Sequence, residues 1–248
     1  MKNLISILAL LLSSFAALPV SGQAPGSSSS VPPEMKSEAP LLLYRETVAE
    51  RMCYTAYTEA NKHVSHTDVV FIGDSITDLW YGADPAFFDD NGFIGRGIGG
   101  QTSIGILARF RQDAVGLNPK VVVILAGIND IAGNDGEISL DATLENLAAM
   151  CDIARANGIV PLLCSLTPCS RFFWAPDAKP APEVIKANEM IKAYADAAGV
   201  QYVDYYSAMA DKDGGMKQGY SGDGCHPTAA GYEVMEEVIM KYISKLIG

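Results

Sequence analysis

The chain has 248 residues, 49% of them hydrophobic, and carries a formal net charge of −11. An excess of acids on this scale repels phosphate backbones and anionic surfaces, which argues against nucleic acid as a partner. Length and apolar share suit one domain with a full core.

In chain order, Lys2 and the apolar run from Leu4 to Leu18 read as a secretory signal, and the run is too short to span a bilayer. Small residues at Ser21, Gly22 and Ala24 put cleavage near Ala24. Residues 1–24 are therefore expected to direct export to the periplasm or medium, with no stable membrane insertion after cleavage. Residues 25–40, rich in Pro, Ser and Gly, read as a flexible linker, and residues 41–248 as the folded domain.

Within that domain, helical spacing runs from Tyr44 to Lys62 through Val48, Met52 and Tyr57. "DVVFIGDS" is a buried strand ending at Gly73, and a shorter run covers Phe93 to Gly95. Further strands follow in "KVVVILAGIND", "GIVPLLCSLTP" and, more weakly, "GVQYVDYY". Helical segments are expected at Ile104 to Ala114, Leu140 to Ala156, Pro182 to Ala198 and Thr228 to Leu246. This alternation predicts a parallel sheet covered on both faces. In such sheets ligands bind beyond the carboxyl ends of the strands, the edge toward which Ser75, Gly100 and Asn129 project.

Five cysteines in an exported chain permit disulfides. Cys164 and Cys169 bracket a turn and are placed to pair, whereas Cys53 and Cys151 fall in helical patterns as small core residues. No pair has zinc-finger spacing, so no metal is expected.

Gly95, Gly97 and Gly100 in "IGRGIGGQTS" have the spacing of a dinucleotide-binding loop. Such a loop follows a long buried strand and is trailed about 20 residues later by an acid for the ribose. Here the strand is short and residues 114–129 contain no Asp or Glu, so a nucleotide cofactor is not expected.

An alcohol nucleophile needs a base, a group to orient that base, and donors for the oxyanion. There are three histidines, and His63 and His66 precede the first strand at the wrong edge of the sheet. His226 remains, in "SGDGCHPTAAGY", with Asp223 three residues earlier able to accept from its ring. Pro227 biases His226 to an extended backbone at the start of the final helix.

"FIGDSITDLW", "GRGIGGQTS", "LAGIND" and "DGCHP", in this order over residues 68 to 232, resemble the four sequence blocks of the SGNH (GDSL) hydrolase family. The resemblance is greatest to single-domain bacterial esterases, lysophospholipase-like acylhydrolases and the catalytic subunit of platelet-activating-factor acetylhydrolase. It implies a flavodoxin-like three-layer α/β/α sandwich with about five parallel strands. The chain has no G-x-S-x-G elbow, which disfavours the ordinary α/β-hydrolase fold. Carried onto this sequence, the resemblance implies Ser75 as nucleophile, Asp223 and His226 as acid and base, and the Ser75 and Gly100 N–H groups with the Asn129 amide as oxyanion donors. No metal or organic cofactor is implied.

Asp74 and Asp130 read as acceptors that tie down loops, and Asp78 likewise. Asp74, beside Ser75, is also kept with Phe172 and Trp174 as a candidate substrate contact. The loop "TPCSRFFWAPDAKPAPE" brings Phe172, Phe173 and Trp174 either to a pocket wall or to a core plug. Cys225, next to the base, is expected to pack as a small hydrophobe rather than act as a redox switch. The expected activity is hydrolysis of a carboxylic ester, short-acyl or carbohydrate O-acetyl. Longer acyl chains, or a carbohydrate-binding module without chemistry, are the alternatives.

Overall fold

The computed structural model describes residues 48–248. The expected signal, linker and first residues of the domain lie outside these. Five strands, β1 (Val69–Gly73), β2 (Ile94–Gly97), β3 (Val121–Leu125), β4 (Val160–Cys164) and β5 (Gln201–Val203), form one sheet in the order β2-β1-β3-β4-β5. Every pairing is parallel, with Val70 opposite Ile94, Val69 opposite Val121, Val121 opposite Val160 and Leu162 opposite Gln201.

Every residue of β1 and β3 is buried, as a strand covered on both faces requires. Helices α5 (Ser103–Asp113), α7 (Leu140–Ala156) and α8 (Pro180–Ala198) pack in sequence against one another and cover one face. Helices α3 (Ser75–Ala83), α9 (Tyr205–Met209) and α10 (Ala229–Ile247) cover the other. The expected three-layer sandwich is thus the observed fold. Short helices α1 (Val48–Arg51), α2 (Thr58–Lys62), α4 (Pro85–Asp89) and α6 (Ile128–Ala132) complete the description. Among the described residues no helix is long and apolar enough to cross a membrane.

The single helix expected up to Lys62 is broken between α1 and α2, where Cys53 has a left-handed φ of 48°. Tertiary partners cause the break. The Met52 and Tyr54 carbonyls accept from the Gln101 and Gln112 side chains at 2.6 and 2.7 Å instead of continuing a helix. Cys53 is therefore a turn residue, while Cys151 is buried on α7 as expected.

The Cys164–Cys169 pairing that the sequence permits is not formed, and all five thiols are free. The two residues face different neighbours: Cys164 donates to the Leu162 carbonyl at 3.9 Å, whereas Cys169 donates to the Arg171 carbonyl at 3.4 Å.

Strand order reverses between β1 and β3, and the crevice beyond the carboxyl ends at such a reversal is where doubly wound sheets bind ligands. α3 leaves β1 there and is pinned on the sheet by aromatic packing. Trp80 stacks on Phe87 at 5.5 Å and on Tyr232 at 5.2 Å, and Phe71 meets its edge at 5.5 Å. Polar ties fix its angle: Trp80 Nε1 donates to Glu236 at 2.8 Å, and the Tyr232 hydroxyl donates to the Ile76 carbonyl at 2.7 Å.

Candidate active site

Ser75 is the first residue of α3, after a cap in which Asp74 Oδ1 accepts the Ile76 N–H at 3.0 Å. Its hydroxyl is 2.9 Å from His226 Nε2, and His226 Nδ1 is 2.7 Å from Asp223 Oδ2. The other Asp223 oxygen accepts the N–H groups of Cys225 and His226, both at 2.8 Å. Burial raises the pKa of this carboxyl, but hydrogen bonds from the His226 ring and from the two backbone N–H groups outweigh it and hold the value at about 2. An ionised acid thus faces the ring at any ordinary pH.

The turn bearing Asp223 and His226 is tied to the loop after β4. Ser170 N–H donates to the Gly224 carbonyl at 2.9 Å and Arg171 Nε to the Asp223 carbonyl at 2.8 Å. The Arg171 guanidinium thus serves this turn.

Opposite Ser75 lie the β2 and β3 loops. Gly100 has φ 77°, a left-handed conformation that disfavours any side chain. Gly97 owes its place to packing, since a Cβ there would lie 2.0 Å from the Asp78 nitrogen. Gly95 would meet only an ordinary contact with Phe88 at 3.6 Å. The glycine spacing thus records a close strand–helix approach and a turn.

Asn129, buried on α6, donates through Nδ2 to the Gln101 carbonyl at 3.0 Å and accepts from Asn134 at 2.9 Å. Below them Arg109, fully buried, joins the Gly73 carbonyl (2.9 Å), Gln101 Oε1 (2.7 Å) and Asp113 (3.3 Å). The loops after β1 and β2 therefore share one guanidinium. Asp130 accepts from the Ser103 N–H at 2.8 Å, the Ser103 hydroxyl and Thr143, the loop-tying role expected of it.

Ser75, Gly100, Asn129, Asn134, Phe173, Trp174 and His226 line one cavity of about 340 Å³. A larger one of about 630 Å³ beside α6, α7 and α8 is lined by Asp130, Glu137, Asp141, Glu183 and Lys186, away from Ser75.

Two candidate substrate contacts are corrected. Phe172 is 1% exposed and plugs the core beneath Trp174, leaving the cavity wall to Phe173, 67% exposed, and Trp174. Asp74 is buried as a cap and does not line the cavity. Asp78 is exposed on α3 rather than tying a loop. Of the two places open to it, Trp174 takes the cavity wall, 5.9 Å from the His226 ring. His63 and His66 are exposed at the amino end of β1. Asn134, Gln101 and Arg109 were missed: "AGND" after α6 reads as a turn, and nothing local marks a buried Arg within an amphipathic helix.

A serine hydroxyl on an imidazole held by a carboxylate, at the carboxyl end of a parallel sheet, is an arrangement that can deliver an activated oxygen nucleophile. Residues 71–234 match the model of the GDSL-like lipase/acylhydrolase family. The chain belongs to that family, whose members are esterases and acylhydrolases. Among solved structures it is similar to a GDSL-like lipase from Bacteroides thetaiotaomicron, with 40% identity over 78% of this chain and 98% of that one and a TM-score of 0.75. It is also similar to a protein assigned as an acylhydrolase from Bacteroides fragilis (42% identity, 76% of this chain and 94% of that one, TM-score 0.73). A third, assigned as a platelet activating factor protein from Streptococcus pneumonia, shares 26% identity over 83% of this chain and 95% of that one, with a TM-score of 0.67. None of the curated proteins compared with the chain matches it.

Proposed function

We propose that the protein is a serine esterase that hydrolyses short-acyl carboxylic esters, carbohydrate O-acetyl esters among them, through an acyl-Ser75 intermediate. The observation that carries this reading is the continuous row from Ser75 Oγ to His226 Nε2 (2.9 Å) and from His226 Nδ1 to Asp223 (2.7 Å).

As Ser75 Oγ attacks the ester carbonyl, its proton passes to His226 Nε2, and the imidazolium that forms is stabilised by the ionised Asp223. The carbonyl oxygen, now an anion, is received by the N–H groups of Ser75 and Gly100 and by the Asn129 Nδ2 hydrogen not given to Gln101. His226 returns the proton to the departing alcohol. Water then repeats the sequence against the acyl-enzyme, freeing the acid and Ser75.

Short acyl groups are favoured because the cavity, about 340 Å³, is at the lower end of the range of roughly 300–1,000 Å³ for ligand pockets. Phe173 and Trp174 at its rim offer a flat apolar surface to the alcohol half, as sugar faces require. Residues 1–24 are proposed to export the enzyme, on the strength of Lys2 and the apolar run behind it.

The test is hydrolysis of p-nitrophenyl acetate, butyrate and octanoate by the wild type and Ser75→Ala, with fluorophosphonate labelling of both. Turnover of the acetate above the octanoate, with turnover and label both absent from Ser75→Ala, is the expected result. A wild type that neither turns over nor labels sinks the reading.

A further inference from the structure

One side chain that the mechanism above does not use touches both halves of the anion-stabilising apparatus. Asn134 follows α6, and its backbone N–H returns to the Asn129 carbonyl at 3.1 Å. Its Nδ2 donates to the Gly100 carbonyl at 3.0 Å and to Asn129 Oδ1 at 2.9 Å. Its Oδ1 accepts the indole N–H of Trp174 at 3.0 Å. All its amide hydrogens and its oxygen are therefore engaged, and every partner lines the cavity.

The consequence for the donors is geometric. Asn129 has its oxygen held by Asn134 and one amide hydrogen held by the Gln101 carbonyl, so the plane of its carboxamide is fixed and its last hydrogen has one direction left. The turn that follows is held as well, since the carbonyls of Gly100 and Gln101 accept from Asn134 and Asn129 in turn. Free rotation of the Asn129 carboxamide would turn its donor away from the oxyanion, and preorganised donors are what make such a hole effective.

We propose that Asn134 is the positioning residue that sets the Asn129 donor and braces the turn after Gly100, and that the Trp174 indole locks it in place. The proposal rests on the esterase reading above. It also links the substrate wall to the anion hole: Trp174 faces the ester and, through one hydrogen bond, steadies the group that aims the Asn129 donor.

The experiment is steady-state hydrolysis of p-nitrophenyl acetate by the wild type, Asn134→Ala, Asn134→Asp and Trp174→Phe, with a pH–rate profile and thermal melt of each. Asn134→Ala is expected to lower kcat about 10- to 100-fold with KM changed by less than about threefold, the pattern of a contribution made in the transition state. The pH profile keeps its shape, because the Ser75–His226–Asp223 row is untouched. Asn134→Asp keeps the size and the acceptor for Trp174 but loses the donor, and falls at least as far. Trp174→Phe keeps a ring in the wall, loses the indole N–H, and drops a few-fold in kcat.

Full kcat in Asn134→Asp would overturn the proposal, because the donor would then be dispensable. A raised KM at unchanged kcat in Asn134→Ala would also overturn it, making Asn134 a substrate contact. If Asn134→Ala melts too early to assay, the kcat of Asn134→Asp and Trp174→Phe decides by the same criteria. Ester turnover by the wild type with equal turnover by all three variants sinks this proposal alone. A wild type without turnover sinks the esterase reading and this one with it.

Discussion

Asp74 lies fully buried beneath the residue proposed to attack the substrate, with Oδ1 on the Ile76 N–H and Oδ2 without a hydrogen-bond partner. Burial lifts its pKa from 3.8 to about 7; the Ile76 N–H opposes the rise and the Asp130 carboxylate adds to it. A carboxyl whose pKa is raised by folding holds its proton more tightly in the folded chain. The stability it lends is thus complete below about pH 4 and is lost as pH rises through about 7. A shift of about three units at 1.36 kcal/mol per unit amounts to about 4 kcal/mol. Asp74→Asn keeps the acceptor for Ile76 and cannot ionise. Urea unfolding of both proteins from about pH 4 to pH 8 should show the wild type losing about 4 kcal/mol more than the variant, since contributions from distant groups cancel in the difference. Two curves parallel to within about 1 kcal/mol would refute the argument, because a carboxylate without a pH signature is not desolvated.

Arg109→Leu should destabilise by roughly 3–5 kcal/mol in urea, since the buried Asp113 would keep only the amide donors of Asn61 and Gln112. A loss below about 1 kcal/mol would mean that the guanidinium does not hold the two loops together. Phe172 and Phe173, adjacent in sequence, should respond in opposite ways. Phe172→Ala should cost about 3–5 kcal/mol of stability, and Phe173→Ala less than about 0.5 kcal/mol while raising KM for aryl and sugar esters. Thermal melts paired with kinetics of each variant separate the two roles.

The strands at Val69 and Val121 were legible because continuous β-branched runs admit few other structures, and their parallel pairing followed from the helices between them. Ser75, Gly100 and Asn129 were legible through the sequence blocks that resemble the family, and His226 also by elimination. The chain has three histidines, and only one lies past the carboxyl edge of the sheet. What escaped was whatever depended on long-range partners. The break after α1 comes from Gln101 and Gln112 reaching across some 50 residues. The inward turn of Phe172 and the outward turn of Phe173 are set by where a loop without periodicity crosses the core. Asn134 is a turn residue by every local rule, and its partners Gly100 and Trp174 are 34 and 40 positions away.

Ser170 and Arg171 run alongside Gly224 and Asp223 as a short ribbon, joined by one backbone bond and one guanidinium. This ties the loop that carries the aromatic rim to the turn that carries Asp223 and His226. If the esterase reading holds, a bulky alcohol pressing Phe173 outward would pull on the same ribbon that holds the imidazole. Selectivity would then arise without a steric block: a poorly fitting ester would displace the rim and leave the imidazole misaligned. Loop grafts between residues 172 and 179 would alter the speed of the chemistry as well as what is admitted, and the two effects would have to be tuned together.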